Sequence, residues 1–164
     1  MDWLQFAVQW LHVLLGIFWF GTVLYVDIVL IPAVNDLPAD RVRELTSRLG
    51  ARGARIMNVV IPTIIVLGFV RGTVFGPIRS IDALMTSYGL TWLLALVLTI
   101  GLYVWGKRIY EPALREVGEL PLNPDGSTTA AIEAATNRVK RLAGLEVLTF
   151  LVIFTCMILM RFAL

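Results

Sequence analysis

Apolar residues run along the chain in four long stretches, separated by short segments where charges, prolines and glycines collect. The stretches cover about residues 3–34, 57–75, 90–110 and 142–162. Each is near or beyond the roughly 20 apolar residues that carry a helix across a bilayer core. They are continuous and far longer than the ~10 alternating residues of a barrel strand, so they predict helices. The expected fold is all-α: one integral membrane domain over residues 1–164, a four-helix transmembrane bundle. The first run opens on Met1-Asp2 with no basic residue, is long for a signal peptide and precedes no small-residue cleavage site. It is expected to remain in the mature protein.

The polar segments orient the bundle. Arg41, Arg43, Arg48, Arg52 and Arg55 follow the first run, and Lys107, Arg108, Arg115, Arg138, Lys140 and Arg141 follow the third. Only Arg79 separates the second and third runs, and Arg161 is the one basic residue of the tails. Basic loops stay on the cytoplasmic side, so the N- and C-termini are expected outside. Within the first basic loop, Pro38 suits a first helical turn, and Asp40, Arg41, Glu44 and Arg48 are spaced for ion pairs along a short interfacial helix. In the second, Asn123-Pro124-Asp125-Gly126 reads as a turn, and Ser127, Thr128 or Thr129 can cap a helix running through Ala130–Ala135 into the fourth span. Gly21, Pro32 and Ala33 return 80 positions later as Gly101, Pro112 and Ala113. That echo is compatible with a two-plus-two repeat and equally with the common placement of Gly and Pro at helix ends.

Composition agrees with the pattern and removes other classes. Hydrophobic residues make up 58% of the 164 and charged residues 16%. Soluble domains average about 45–50% and about 25%. A soluble enzyme, a disordered chain and a nucleic-acid-binding module all fit poorly. The net charge of +2 is small, with no basic face to follow phosphates. The lone Cys156 leaves no intrachain disulfide and no cysteine-based metal motif.

Few polar residues remain inside the spans, and each costs roughly 2.5–3.5 kcal/mol on insertion scales. They fall in two layers. Towards the outer side lie His12, with Gly16 and Trp19 on its face, and Arg71, Met157, Met160 and Arg161. Towards the inner side Asp27 and Glu146 share a level near Lys107, which suggests an ion-pair cluster at the headgroup boundary or, alternatively, a cytoplasmic proton-uptake point. Glu146, Phe150, Ile153, Met157 and Met160 share one face of the fourth helix, expected to look into the bundle. Methionines so spaced serve packing or, less commonly, ligation. Gly16, Gly21, Gly68, Gly72 and Gly101 are expected to let helices approach closely.

A neutral imidazole is a good ligand for haem iron, copper or zinc. With one histidine in the chain, a haem b would take His12 with Met157 or Met160, remain five-coordinate, or borrow a ligand from another chain. Arg71 and Arg161 would meet its propionates, and Trp19 and Phe20 its ring. The other reading gives His12 one hydrogen bond to a neighbouring helix. No Ser–His–Asp set, phosphate-binding glycine loop or metal-type histidine pair is present.

The stretch Trp10-Leu11-His12-Val13-Leu14-Leu15-Gly16-Ile17-Phe18-Trp19-Phe20-Gly21 resembles the histidine-bearing first helix of a group of small bacterial membrane domains. The group comprises the copper-resistance D-type domain, the HemJ-type protoporphyrinogen oxidases and the membrane domain of membrane-bound urate oxidase. The shared pattern is an apolar residue or tryptophan before a histidine, then Gly, then Trp-x-Gly. The resemblance implies that His12 takes the haem-binding role of the HemJ-type histidine. It covers about 12 residues. The following Asp27-Ile28-Val29-Leu30-Ile31-Pro32 departs from the HemJ-type continuation, and the further histidines of the copper-type domains are absent. The expected function is a bacterial inner-membrane protein that binds haem b through His12 for a redox or haem- or copper-handling role. The alternative is a cofactor-free accessory or assembly subunit of a larger membrane complex. The expected surroundings are the lipid bilayer, with a homo-oligomer or larger complex as the protein partner and no nucleic acid.

Overall fold

The structure is a computed structural model that describes residues 2–34, 39–121, 123 and 129–162. The described residues form helices and turns, with no strand among them. In chain order the helices are α1 (Trp3–Tyr25), α2 (Ile31–Val34), α3 (Ala39–Thr73), α4 (Ile81–Leu84), α5 (Ser87–Trp105), α6 (Glu111–Glu119) and α7 (Ala130–Arg161). Two π-helical segments, Val26–Leu30 and Gly106–Tyr110, join α1 to α2 and α5 to α6 without a break. Four helical stretches are long and apolar enough to cross a membrane: Trp3–Ala33, Arg48–Thr73, Ser87–Glu119 and Ala130–Arg161. The protein is thus an all-α four-helix bundle of the multi-pass membrane type.

Local chemistry explains most helix ends. The Asp2 carboxylate accepts from the Leu4 and Gln5 backbone N–H groups and starts α1. Thr86 caps α5 through the Gly89 N–H, and Thr129 caps α7 through the Ile132 N–H, as expected for that threonine. Pro38, the Pro124–Thr128 stretch and the Asp40 side chain lie outside the described residues. The neighbouring Glu44 pairs with Arg41 at 3.8 Å and Arg48 at 2.7 Å.

Two boundaries differ from the sequence reading. The second span does not begin near Met57 after a separate interfacial helix; α3 is continuous from Ala39. No Pro, and no run of turn-forming residues, interrupts Ala39–Asn58, so the polar turns propagate into the apolar ones. The third helical stretch likewise runs past Tyr110 to Glu119.

The π segments have an identifiable cause. Pro32 and Pro112 each follow one by two residues. A proline inside a helix has no N–H to donate and crowds the carbonyl four residues back, here that of Ile28 or Arg108. A widened turn absorbs both effects: the Ile31 N–H bonds to the Val26 carbonyl and the Glu111 N–H to the Gly106 carbonyl. The two segments start 80 residues apart, at 26 and at 106, which is the interval of the glycine–proline–alanine echo.

Helix α1 packs along α3, and α7 along α5, while α3 and α5 join the two hairpins. The core gathers Trp19, Val60, Ile61, Ile64, Leu102, Phe150 and Ile153. The outward faces carry large apolar side chains such as Val59, Val66 and Leu148, as suits helices solvated by lipid. Threonine hydroxyls within the spans bond back to the carbonyl four residues earlier, as in Thr63 to Val59 and Thr149 to Leu145.

Candidate functional site

The site is built on a short strip of α3, Gly68-Phe69-Val70-Arg71-Gly72. Two aromatic side chains lie on its glycines. His12 of α1 rests against Gly68, where an added Cβ would come within 3.2 Å of the imidazole Cε1. Trp92 of α5 lies across Gly72 so closely that a Cβ there would overlap the indole. The Trp92 Nε1 donates to the Gly68 carbonyl at 3.2 Å. His12 and Trp92 are themselves 80 residues apart, so the two halves of the bundle place equivalent positions on one strip. Of the five glycines expected to bring helices together, only these two do. Gly16, Gly21 and Gly101 have nothing within 4 Å of an added Cβ.

In front of the strip lies a cavity of about 470 Å³, within the ~300–1,000 Å³ of small-molecule sites. All seven residues anticipated for a cofactor line it: His12, Gly16, Trp19, Arg71, Met157, Met160 and Arg161. The wall opposite α3 is aromatic. Trp19 meets Phe150 edge-on at 4.6 Å, and Phe20 lies 5.3 Å from both Phe150 and Phe154. Gly16 presents open space to the cavity, where a side chain would intrude.

The polar groups divide into used and unused. The Trp92 N–H is committed to Gly68 and the Thr99 hydroxyl to the Ala95 carbonyl. His12 interacts with the Ile64 backbone, yet its Nδ1 is buried without a hydrogen-bond partner. Gln9, one turn earlier, also buries its Oε1 unpaired. Arg71 is within electrostatic reach of His12. Neither Arg71 nor Arg161 forms an ion pair with a described residue. Both stand in the last turn of their helices, where the helix dipole favours a cation. The cavity therefore combines apolar walls with two cations that form no ion pair with a described residue, while the unpaired His12 Nδ1 and Gln9 Oε1 are enclosed beside it.

The inner layer differs from expectation. Asp27 and Glu146 are close enough to interact electrostatically, and Tyr110 interacts with both. Lys107 does not complete an ion-pair cluster with them. It pairs with Glu111, one turn onward, which Arg115 also approaches at 3.9 Å. A lysine on the π segment reaches the acid on its own helix at lower conformational cost than one on another helix. One oxygen of Asp27 is buried and unpaired. Among the described residues no three His, Cys, Asp or Glu side chains gather to hold a metal ion. Cys156 is free and buried.

Gln9, Tyr88 and Trp92 join the cavity without having been anticipated. The Gly-x-x-x-Gly spacing at 68–72 was the available signal for a close-approach strip. The interval from His12 to Trp92 was the signal for what lies on it. Comparison with known proteins finds no matching family model, no matching curated protein and no matching solved structure.

Proposed function

We propose that this is a small protein of the bacterial inner membrane that binds b-type haem through His12 and serves a redox or haem-handling role. The observation that carries the reading is a half-buried imidazole, His12, on the wall of a 470 Å³ aromatic cavity that is also lined by two arginines forming no ion pair with a described residue. The residues present fit the group. His12 would hold the iron, and Met157 and Met160 are further donors on the cavity wall. Arg71 and Arg161 would hold the propionates by charge-assisted hydrogen bonds. Trp19 and Phe20 would flank the ring, and Gly16 leaves room for it. Bound there, haem supplies one-electron redox chemistry. The protein sets the polarity around it, excludes water and fixes the imidazole against α3. The resemblance of Trp10–Gly21 to haem-binding first helices points the same way.

Absorption spectra of the protein purified in mild detergent from haem-replete cells test the reading. A Soret band that shifts on dithionite reduction is expected, and His12→Ala should abolish it or move it. A blank spectrum together with blank metal analysis would overturn the reading. A band indifferent to His12→Ala would remove the ligand assignment. The second reading is a cofactor-free subunit of a larger membrane complex. A blank spectrum would select it.

A further inference from the structure

The walls of the cavity differ in exposure. The residues it takes from α3 and α5 are buried or half-buried. From α1 and α7 it also takes Val13 at 44% exposure, Ile17 at 59%, Phe154 at 42% and Met157 at 37%. A side chain that both lines a cavity and faces outward marks where that cavity opens. These four are apolar and lie inside helices able to cross the membrane, so the opening between them faces hydrocarbon, while the exposed Arg161 lines the cavity at the end of α7. Helices α1 and α7 also make a looser junction than α1 with α3, α3 with α5 or α5 with α7. The backbones of α1 and α7 approach little, and the seam is closed by the rings of Trp19, Phe20, Phe150 and Phe154. Beyond the slot, Arg71 and Arg161 form no ion pair with a described acid.

We propose that the cavity is a side-opening site that takes a membrane-dissolved amphipathic carboxylate directly from the lipid. A flat apolar body passes between Val13–Ile17 and Phe154–Met157, and the carboxylate comes to rest on Arg71 and Arg161. The proposal rests on the haem reading only for the identity of the cargo. A porphyrin dicarboxylate and a fatty carboxylate released from lipid share the required chemistry, and only the first needs His12. The slot makes the occupant exchangeable with the bilayer, so the site is one of transfer.

Protein reconstituted in vesicles is mixed with donor vesicles carrying hemin, followed by its Soret band, or pyrenebutyrate, followed by energy transfer from tryptophan. Both probes are expected to transfer. Arg71→Gln with Arg161→Gln should weaken each by about tenfold or more, the worth of a lost charge-assisted hydrogen bond. Ile17→Ala should raise uptake and release rates together, and because Ile17 faces outward the fold is spared. Phe154→Ala should act likewise as a second slot variant. Arginine-dependent uptake of pyrenebutyrate without hemin binding would support the slot, assign it a fatty carboxylate and end the haem reading. Hemin binding with rates indifferent to both slot variants, and faster from water than from vesicles, would overturn the side opening while leaving haem in place. Failure of pyrenebutyrate to bind, or binding indifferent to both arginines, would overturn the carboxylate site.

Discussion

Gly72 is the position where a single methyl group matters most. The Trp92 indole lies where its Cβ would be, and the ring is held by its hydrogen bond to the Gly68 carbonyl. The ring has little freedom to withdraw, because its only bonded partner is one turn away on the same strip. Gly72→Ala should therefore cost about 1–3 kcal/mol, the usual range for overpacking a fitted contact. Gly68→Ala meets only the edge of the imidazole at 3.2 Å and should cost less. Thermal unfolding in detergent gives the comparison, and Trp92→Ala should remove most of the Gly72→Ala penalty. If Gly72→Ala melts like the wild type, or the double variant shows no rescue, the strip does not hold the two aromatics as described. At this scale the sequence was legible where chemistry is scarce. One histidine, two outer arginines and two methionines in apolar surroundings had few places to go, and they line one cavity. Trp92 was not legible because a tryptophan in an apolar run looks like any other core residue. Its role comes from a glycine on another helix.

Elements add what residues alone do not show, namely where a helix turns its side chains. The spans were readable because continuous apolar runs are a strong signal. The π segments were not, since a proline near a helix end predicts a stop or kink more readily than a widened turn. The widened turn holding Asp27 leaves it within electrostatic reach of Glu146 on α7, with Tyr110 from the other π segment beside both. Lys107, the nearest expected cation, is bound to Glu111. Two acids thus share one level of the membrane without a paired cation among the described residues. Asp27→Asn and Glu146→Gln should each raise the melting temperature, because each removes a poorly solvated carboxylate and, with it, the like-charge conflict. The double variant should gain less than the sum of the two singles, the shortfall being a coupling of about 0.5–3 kcal/mol in the cycle. Additive gains would show that the acids do not meet, and losses in both single variants would show that they are held by partners that need them charged.

At the scale of the whole molecule, most basic residues lie at one end of the bundle. The segment joining α3 to α5 carries Arg79 and Asp82, whereas Arg41, Arg48, Arg52, Arg55, Arg115, Arg138, Lys140 and Arg141 belong to the opposite end. Four crossings return the chain to the side on which it started, so one measurement fixes every loop. If the inner face retains the basic loops, the α3–α5 connection and both termini are expected outside. The test uses single cysteines in a Cys156→Ala background, since the native thiol is buried on α7. Ser80→Cys sits in the α3–α5 connection on an exposed residue, and Arg115→Cys replaces an exposed arginine of α6 whose contact with Glu111 is long, at 3.9 Å. In intact cells a membrane-impermeant maleimide should label Ser80→Cys and spare Arg115→Cys, and lysis should open the second to labelling. The reverse pattern would put His12 and the two arginines on the cytoplasmic half. The cavity and its slot would then face the inner leaflet, and any cargo would be taken from there. Equal labelling of both positions in intact cells would mean that the four long helices do not cross as a bundle at all.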